Sequence, residues 1–446
     1  TTTTQPTLAP PPVDELTTDV LSFRRHPTPI AQELADEEAA VRTAAVAEDL
    51  VALVDDGSCV RVTDVGVDVA AESAAQAVIP ASNQKLVVAA VALDVLGSDH
   101  RFRTEASSVP PVDGVIDGDL HLVGGGDPLL RTDDVVDPSR YPEFNTTDLA
   151  ELADQIVVLG VGRVTGDVVG DESRYDDERR VPTWGEDITR GDAGPIGALV
   201  VNDGRLPTGD FAIAPASATA RTFVELLTAR GIAVEGSARQ GATPDGLTAL
   251  ALIESEPLPD VLVELLHTSD NHTAEMLVKE LGVADSGEGT LAAGLNVIDR
   301  TLRSWGVPMD GVRLVDGSGL SPDNRITCAA LLAVLEHSAD GALPGALPVA
   351  GRSGTLTDEF IGTPVEGRLR GKTGTLGNPP FDQPPSAVKA LAGYLDAPNG
   401  STIGYVLIQS GPDVTEDEKY RALWDALGDR LATYPAGVDA LAVGPR

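Results

Sequence analysis

Residues 80–97 read PASNQKLVVAAVALDVLG, and the reading of this stretch decides the fold. Pro80 stops the chain ahead of it and Gly97 suits a C-terminal cap, so Ser82 to Leu96 is predicted to be helical. Leu86, Val87, Val88, Val91, Leu93 and Leu96 leave almost no polar face. A helix that is apolar nearly all round belongs in the centre of a domain. Lys85 interrupts it, and a lysine inside so apolar a helix needs a reason. Ser82 lies one helical turn upstream on the same side. The helix N-terminus lends positive potential, which favours an alkoxide and disfavours a protonated amine. Burial lowers the Lys85 pKa as well, the condition for a general base near neutrality. A capping serine beside a snorkelling lysine is the plain alternative.

Outward from this helix, a helix is predicted at about Asp36 to Val54 and an alternating strand at Cys59 to Val69. From about Thr104 to Ala251 the texture changes to short strands and turns, with helices at Asp148 to Leu159 and Ala216 to Arg230. Helical texture resumes at Leu258 to Leu266, Thr273 to Leu281, Gly289 to Trp305 and Cys328 to His337. Three strands follow, at Gly367 to Leu376, Val388 to Leu395 and Thr402 to Gln409, with Asn399-Gly400 as a hairpin signal. A last helix runs from about Thr415 to Leu431. The simplest architecture is an α/β (α+β) domain built from residues 36–104 and 258–446, with a strand-rich α+β module at 105–257 inserted into it. Residues 1–35, rich in Thr and Pro at their start, read as a flexible tether.

The chain has 446 residues, 42% of them hydrophobic but only 4% aromatic, so its cores rest on Val, Leu and Ala. The net charge of -37 repels nucleic acid and anionic membrane, which makes both poor partners. Only five lysines occur: Lys85, Lys279, Lys372, Lys389 and Lys419. An acidic, lysine-poor surface suits molar salt, where the screening length is ~3 Å, and implies a halophilic source. No run of 18 apolar residues is present to form a transmembrane segment. Cys59 and Cys328 are too few for a zinc site. They allow one disulfide in an exported chain, but two free buried thiols is the favoured reading.

Two further tripeptides carry chemistry. Ser269-Asp270-Asn271 lies between two predicted helices, where its hydroxyl can relay a proton and its amide can hold a carbonyl. Taken alone it reads as an N-cap. Lys372-Thr373-Gly374-Thr375 sits on a predicted strand. Lys372 and the threonine hydroxyls suit a carboxylate, and Gly374 leaves room for a substrate backbone. His267 near Ser269 reads as structural. Gly124-Gly125-Gly126 lacks the following Gly-Lys-Ser/Thr of a phosphate loop and reads as a tight turn. The Pro-rich stretch Gly377 to Pro385 reads as a surface coil.

Ser-x-x-K, Ser-Asp-Asn and Lys-Thr-Gly in this order form the signature of penicillin-binding proteins and serine β-lactamases. The chain resembles the D-alanyl-D-alanine carboxypeptidase/endopeptidases of the low-molecular-mass class C penicillin-binding proteins. The likeness extends to Pro80 through Leu86, Gly118-Asp119-Leu120, Gly124 through Pro128, Asp316 through Ser321 with Asn324-Arg325, Leu347 through Gly351 and Gly354-Thr355-Leu356. The long interval between Lys85 and Ser269 fits the same branch.

The resemblance implies a transpeptidase-type domain, an antiparallel sheet flanked by helices. It implies catalytic roles for Ser82, Lys85, Ser269, Asn271 and Lys372. Ser82 would be acylated by a peptide ending in D-Ala-D-Ala and Lys85 would be its base. Ser269 would pass a proton to the leaving D-Ala. The backbone N–H groups of Ser82 and Thr375 would form the oxyanion hole, and Lys372, Thr373 and Thr375, along the Gly374 strand, would hold the terminal carboxylate. β-Lactams would be covalent inhibitors, no metal or cofactor is required, and the location would be extracytoplasmic. The alternatives are a β-lactamase or esterase on the same scaffold, or a non-catalytic envelope-binding module. An added Glu base, the mark of class A β-lactamases, is not identifiable. A retired site, in turn, has no reason to keep five such residues.

Overall fold

The computed structural model describes residues 28–132, 144–185, 191–377, 385–397 and 400–434. Residues 1–27 of the expected tether, 378–384 of the Pro-rich stretch and Asn399 of the hairpin signal lie outside them. Residues 47–432 form one compact unit, and the described residues 28–46 and 433–434 belong to a second. Helix α1 runs Thr28–Val51, starting earlier than the expected Asp36.

β1 (Cys59–Asp64) and β2 (Val67–Glu72) form an antiparallel hairpin. The alternation over Cys59 to Val69 suggests one strand, but the chain turns at Val65 and Gly66, with φ of 47° and 77°. Two successive positive-φ residues match the twist of a tight hairpin, and a valine in that role gives no sequence signal. Helix α2 (Gln84–Leu96) follows, and Gly97 ends it at φ 84°. Leu86, Val87, Val88 and Val91 are wholly buried in the largest apolar cluster. Burial is worth roughly 1.5–3 kcal/mol for each such side chain.

β3 (Arg103–Ser108), β4 (Leu120–Gly124), β5 (Val168–Asp171), β6 (Ala238–Gln240) and β7 (Thr248–Glu254) form a second five-stranded sheet, in the order β6-β5-β4-β3-β7. Its β6-β5 and β5-β4 pairs are parallel and the rest antiparallel. β3 and β7 pair so that Arg103 stands opposite Glu254, which brings the entry and exit of this segment together. Helices α3 (Leu149–Val158) and α4 (Pro215–Ala229) pack on this sheet around a separate apolar cluster that includes Leu122, Leu152, Val168 and Phe223. Gly124, Gly125 and Gly126 serve close packing: a Cβ at each would run into Ala198, Arg103 and Tyr175.

Helices α5 (Leu258–Thr268), α6 (Asn271–Ser286), α7 (Leu291–Ser304) and α8 (Cys328–His337) rejoin the α2 cluster. β8 (Leu369–Leu376), β9 (Ala387–Asp396) and β10 (Thr402–Gly411) precede α9 (Asp417–Thr433). They complete a fully antiparallel sheet, ordered β8-β9-β10-β1-β2, with β8 at its edge. β9 alternates cleanly: Val388, Ala390 and Ala392 join the α2 cluster, whereas Lys389 faces Tyr420 and Trp424 of α9. Helices therefore cover both faces, in agreement with the expected fold.

Cys59 of β1 and Cys328 of α8 form a disulfide across 269 residues, which corrects the expectation of two free thiols. The pairing comes from packing of the first strand against a late helix, and nothing local in the sequence reports it. Among the described residues no helix is long and apolar enough to cross a membrane.

Candidate active site

Ser82 lies in a 3₁₀ turn, Ala81–Asn83, that runs directly into α2, rather than in the α-helix proper. Ala81 holds φ at 47°, a conformation that costs a non-glycine residue roughly 1–2 kcal/mol. Neighbours hold it there. A Cβ at Gly319 would strike the Ala81 carbonyl, and one at Gly374 would lie 3.2 Å from the Ala81 Cβ and 3.1 Å from the Pro80 carbonyl. The bare face of Gly374 thus admits the nucleophile turn. The same packing sets Ser82 and Thr375 on apposed segments.

Lys85 is completely buried. Its Nζ donates to Ser82 Oγ at 3.0 Å, Asn271 Oδ1 at 2.8 Å and the Ser318 carbonyl at 2.7 Å. Three acceptors match the three N–H bonds of an ammonium. Burial nevertheless lowers the Lys85 pKa to about 8, against the opposing charges of Asp270, Asp316 and Glu275. Two of those carboxylates also build the loop that supplies the Ser318 carbonyl. Glu275 accepts from the Gly317 and Ser318 amides. Asp316 accepts from the Gly319 and Ser321 amides, Asn324 Nδ2 and Trp184 Nε1. Burial, then the charge of Asp316, pushes the Glu275 carboxyl up to about 8.

The Ser269-Asp270-Asn271 link joins α5 to α6 in two residues. Ser269 caps α5 in the left-handed region at φ 61°, and Asp270 caps α6 by accepting from the His272 and Thr273 amides. The capping reading is therefore correct for Asp270, and the same cap holds its two neighbours in place. Asn271 Nδ2 donates to the Asp192 carbonyl at 2.6 Å, which turns its Oδ1 toward Lys85. Ser269 Oγ accepts from Lys372 Nζ at 2.8 Å. His267 does not pair with Ser269 in this way; it lies edge-on to Phe144 and hydrogen-bonds the Leu347 backbone.

Lys372 is also completely buried, and its Nζ also reaches the Thr373 carbonyl at 2.8 Å. Burial, reinforced by the like charges of Lys85 and Lys389, drives its pKa well below the ordinary lysine value. Thr373 Oγ1 donates to Thr355 Oγ1 at 2.9 Å, and Lys389 Nζ donates to Thr375 Oγ1 at 3.0 Å. Lys85 thus bonds Ser82 and Asn271, Lys372 bonds Ser269, and the short Ser269-Asp270-Asn271 link ties the two groups together. Sequence reading gives no role to Thr355, Lys389, Glu275, Asp316 or the Ser318 carbonyl. The phrases around Asp316 and Thr355 were the available signal. Among the described residues no group of three or more His, Cys, Asp or Glu side chains is placed to hold a metal ion.

The profile of the D-Ala-D-Ala carboxypeptidase 3 (S13) family matches residues 42–212 and 210–434. A D-alanyl-D-alanine carboxypeptidase of Actinomadura sp. is 30% identical over 497 residues, spanning 90% of this chain and 87% of that one. Penicillin binding protein 4 of Haemophilus influenzae superposes with a TM-score of 0.72 at 21% identity, over 86% of this chain and 98% of its own. A penicillin G-acylated predatory endopeptidase of Bdellovibrio bacteriovorus gives a TM-score of 0.52 at 16% identity, over 87% and 93%. By its sequence and its fold, the chain belongs to the D-Ala-D-Ala carboxypeptidase 3 (S13) family of serine peptidases.

Proposed function

We propose that the chain cleaves the D-alanyl-D-alanine bond through an acyl-enzyme on Ser82. The observation that carries this reading is a buried Lys85 amine 3.0 Å from Ser82 Oγ, with its pKa lowered to about 8. Neutral Lys85 takes the Ser82 proton as Oγ bonds to the carbonyl carbon. The oxyanion is met by the Ser82 and Thr375 backbone N–H groups; one such donor is typically worth ~3 kcal/mol. The C–N bond then breaks and the leaving D-Ala amine takes a proton through Ser269. Lys372, Thr373 and Thr375 receive the terminal carboxylate. Water hydrolyses the Ser82 ester and the enzyme is regenerated.

β-Lactams enter the same sequence and stop at the acyl stage. Peptides cross-linked through D-alanine are a further substrate class for this site. The Cys59–Cys328 disulfide supports an extracytoplasmic location. The separate apolar core supports reading residues 105–257 as an inserted domain. The charge of -37 supports operation in concentrated salt; stability that peaks at low KCl in unfolding experiments would rule this out.

Labelling with fluorescent penicillin tests the central step. A covalent adduct is expected on the wild type and none on Ser82→Ala. An unlabelled wild type would end the acyl-enzyme reading.

A further inference from the structure

Of the five lysines, the reaction above uses Lys85 and Lys372; Lys389 is a third whose charge is felt at Lys372. Lys389 stands directly opposite Thr375 in the β8-β9 ladder, on the face of the sheet covered by α9. Its Nζ donates to Thr375 Oγ1 at 3.0 Å and lies 3.7 Å from the centre of the Tyr420 ring and 5.1 Å from that of Trp424. Two rings and one hydroxyl hold the amine in place. Thr375 itself is exposed.

An ammonium has no acceptor capacity, so in this bond Lys389 must donate and Thr375 must accept. That occupies a lone pair of the Thr375 hydroxyl and leaves its O–H free. A hydroxyl held in this way keeps its O–H for its next partner, and a carboxylate only accepts. We infer that Lys389 is a positioning residue that fixes the Thr375 hydroxyl as a donor and so selects substrates with a free C-terminal carboxylate. The inference rests on the proposed carboxylate role of Thr375.

The electrostatic setting supports it. Burial lowers the Lys389 pKa to about 8, against Glu359 and Asp417 and with help from Arg421. Tyr420 and Arg421 of α9 both bond Glu359, at 3.0 and 2.6 Å, and Lys372 on β8 senses the Lys389 charge. Once Lys389 loses its proton it can accept. The Thr375 O–H then turns back to it and the carboxylate loses a donor. Selection should therefore be strong below pH 8 and fade above it.

The test compares a peptide ending in D-Ala-D-Ala with its C-terminal amide on wild type, Lys389→Met and Lys389→Arg. Met keeps the apolar stem beneath the rings, and matching circular dichroism establishes that each variant is folded. Lys389→Met is expected to raise KM for the free acid about tenfold, the weight of one hydrogen bond to a charged group, with kcat little changed. Kinetics on the amide should not move. Lys389→Arg should keep the selection and extend it above pH 8, because arginine stays charged. An unchanged free-acid KM in Lys389→Met, or equal losses on acid and amide, would overturn the inference. A wild type that does not distinguish acid from amide would instead overturn the carboxylate role of Thr375 itself.

Discussion

Lys85 and Lys372 are both wholly buried, and burial lowers the pKa of both, yet their surroundings are opposite. Around Lys85 stand Asp270, Asp316 and Glu275, which pull its pKa back up to about 8. Around Lys372 the charges that matter are Lys85 and Lys389, which push its pKa further down. One amine is tuned to exchange a proton near neutrality. The other lacks a counter-charge that an anionic ligand would bring. The difference marks which lysine is suited to work as a base and which to bind a carboxylate.

Lys85→Arg breaks the comparison at its strongest point. Arginine keeps charge and donors but cannot become neutral at working pH. A positioned general base contributes ~10²–10⁴-fold, so penicillin acylation should slow by about 10³-fold. Stopped-flow labelling would measure it, and near-normal labelling would remove Lys85 as the base.

Lys372→Met should act on binding. The kcat/KM for a peptide with a free carboxylate should fall about 10²-fold, mostly through KM, the scale of a charge-assisted hydrogen bond of ~1.5–3 kcal/mol. A linked effect follows in Ser82→Ala. A carboxylate arriving beside an amine whose pKa is held down raises that pKa, so binding should be accompanied by proton uptake. Calorimetry in two buffers of different ionisation enthalpy would detect this. Binding without proton uptake would mean that Lys372 is already fully charged in the empty site.

The contrast between the lysines was only half legible in the sequence. Ser82-x-x-Lys85 and Lys372-Thr373-Gly374 announce themselves because each motif is local and each amine is one of only five lysines. The α2 helix and strands β8 to β10 were readable for the same reason: their periodicity is local. The carboxylates that separate the two amines were not. Glu275 lies four residues after Asn271 and Asp316 lies far downstream, and in a chain with 69 acidic residues neither stands out. Lys389 was hidden in the same way, because its tie to Thr375 exists only through the β8-β9 register. The Cys59–Cys328 disulfide is the plainest miss, a contact between chain segments that no periodicity connects.

The smallest effect is the finest test of the comparison. Glu275 raises the Lys85 pKa through its charge, and its Oε1 accepts from both the Gly317 and the Ser318 amides, at 3.0 and 2.7 Å. Glu275→Gln keeps an acceptor oxygen for these amides and removes the charge. The sign follows from the base: only neutral Lys85 takes a proton, so acylation rises with pH through about 8. Without the Glu275 charge the protonated amine loses support and its pKa falls. The rising limb of the acylation rate should therefore move to lower pH. The shift should be under about one unit, because Glu275, itself pushed up to about 8, is only partly charged near neutrality. A limb that stays fixed would mean that burial alone sets the base, and one that moves upward would mean that the carboxylates do not support the Lys85 charge.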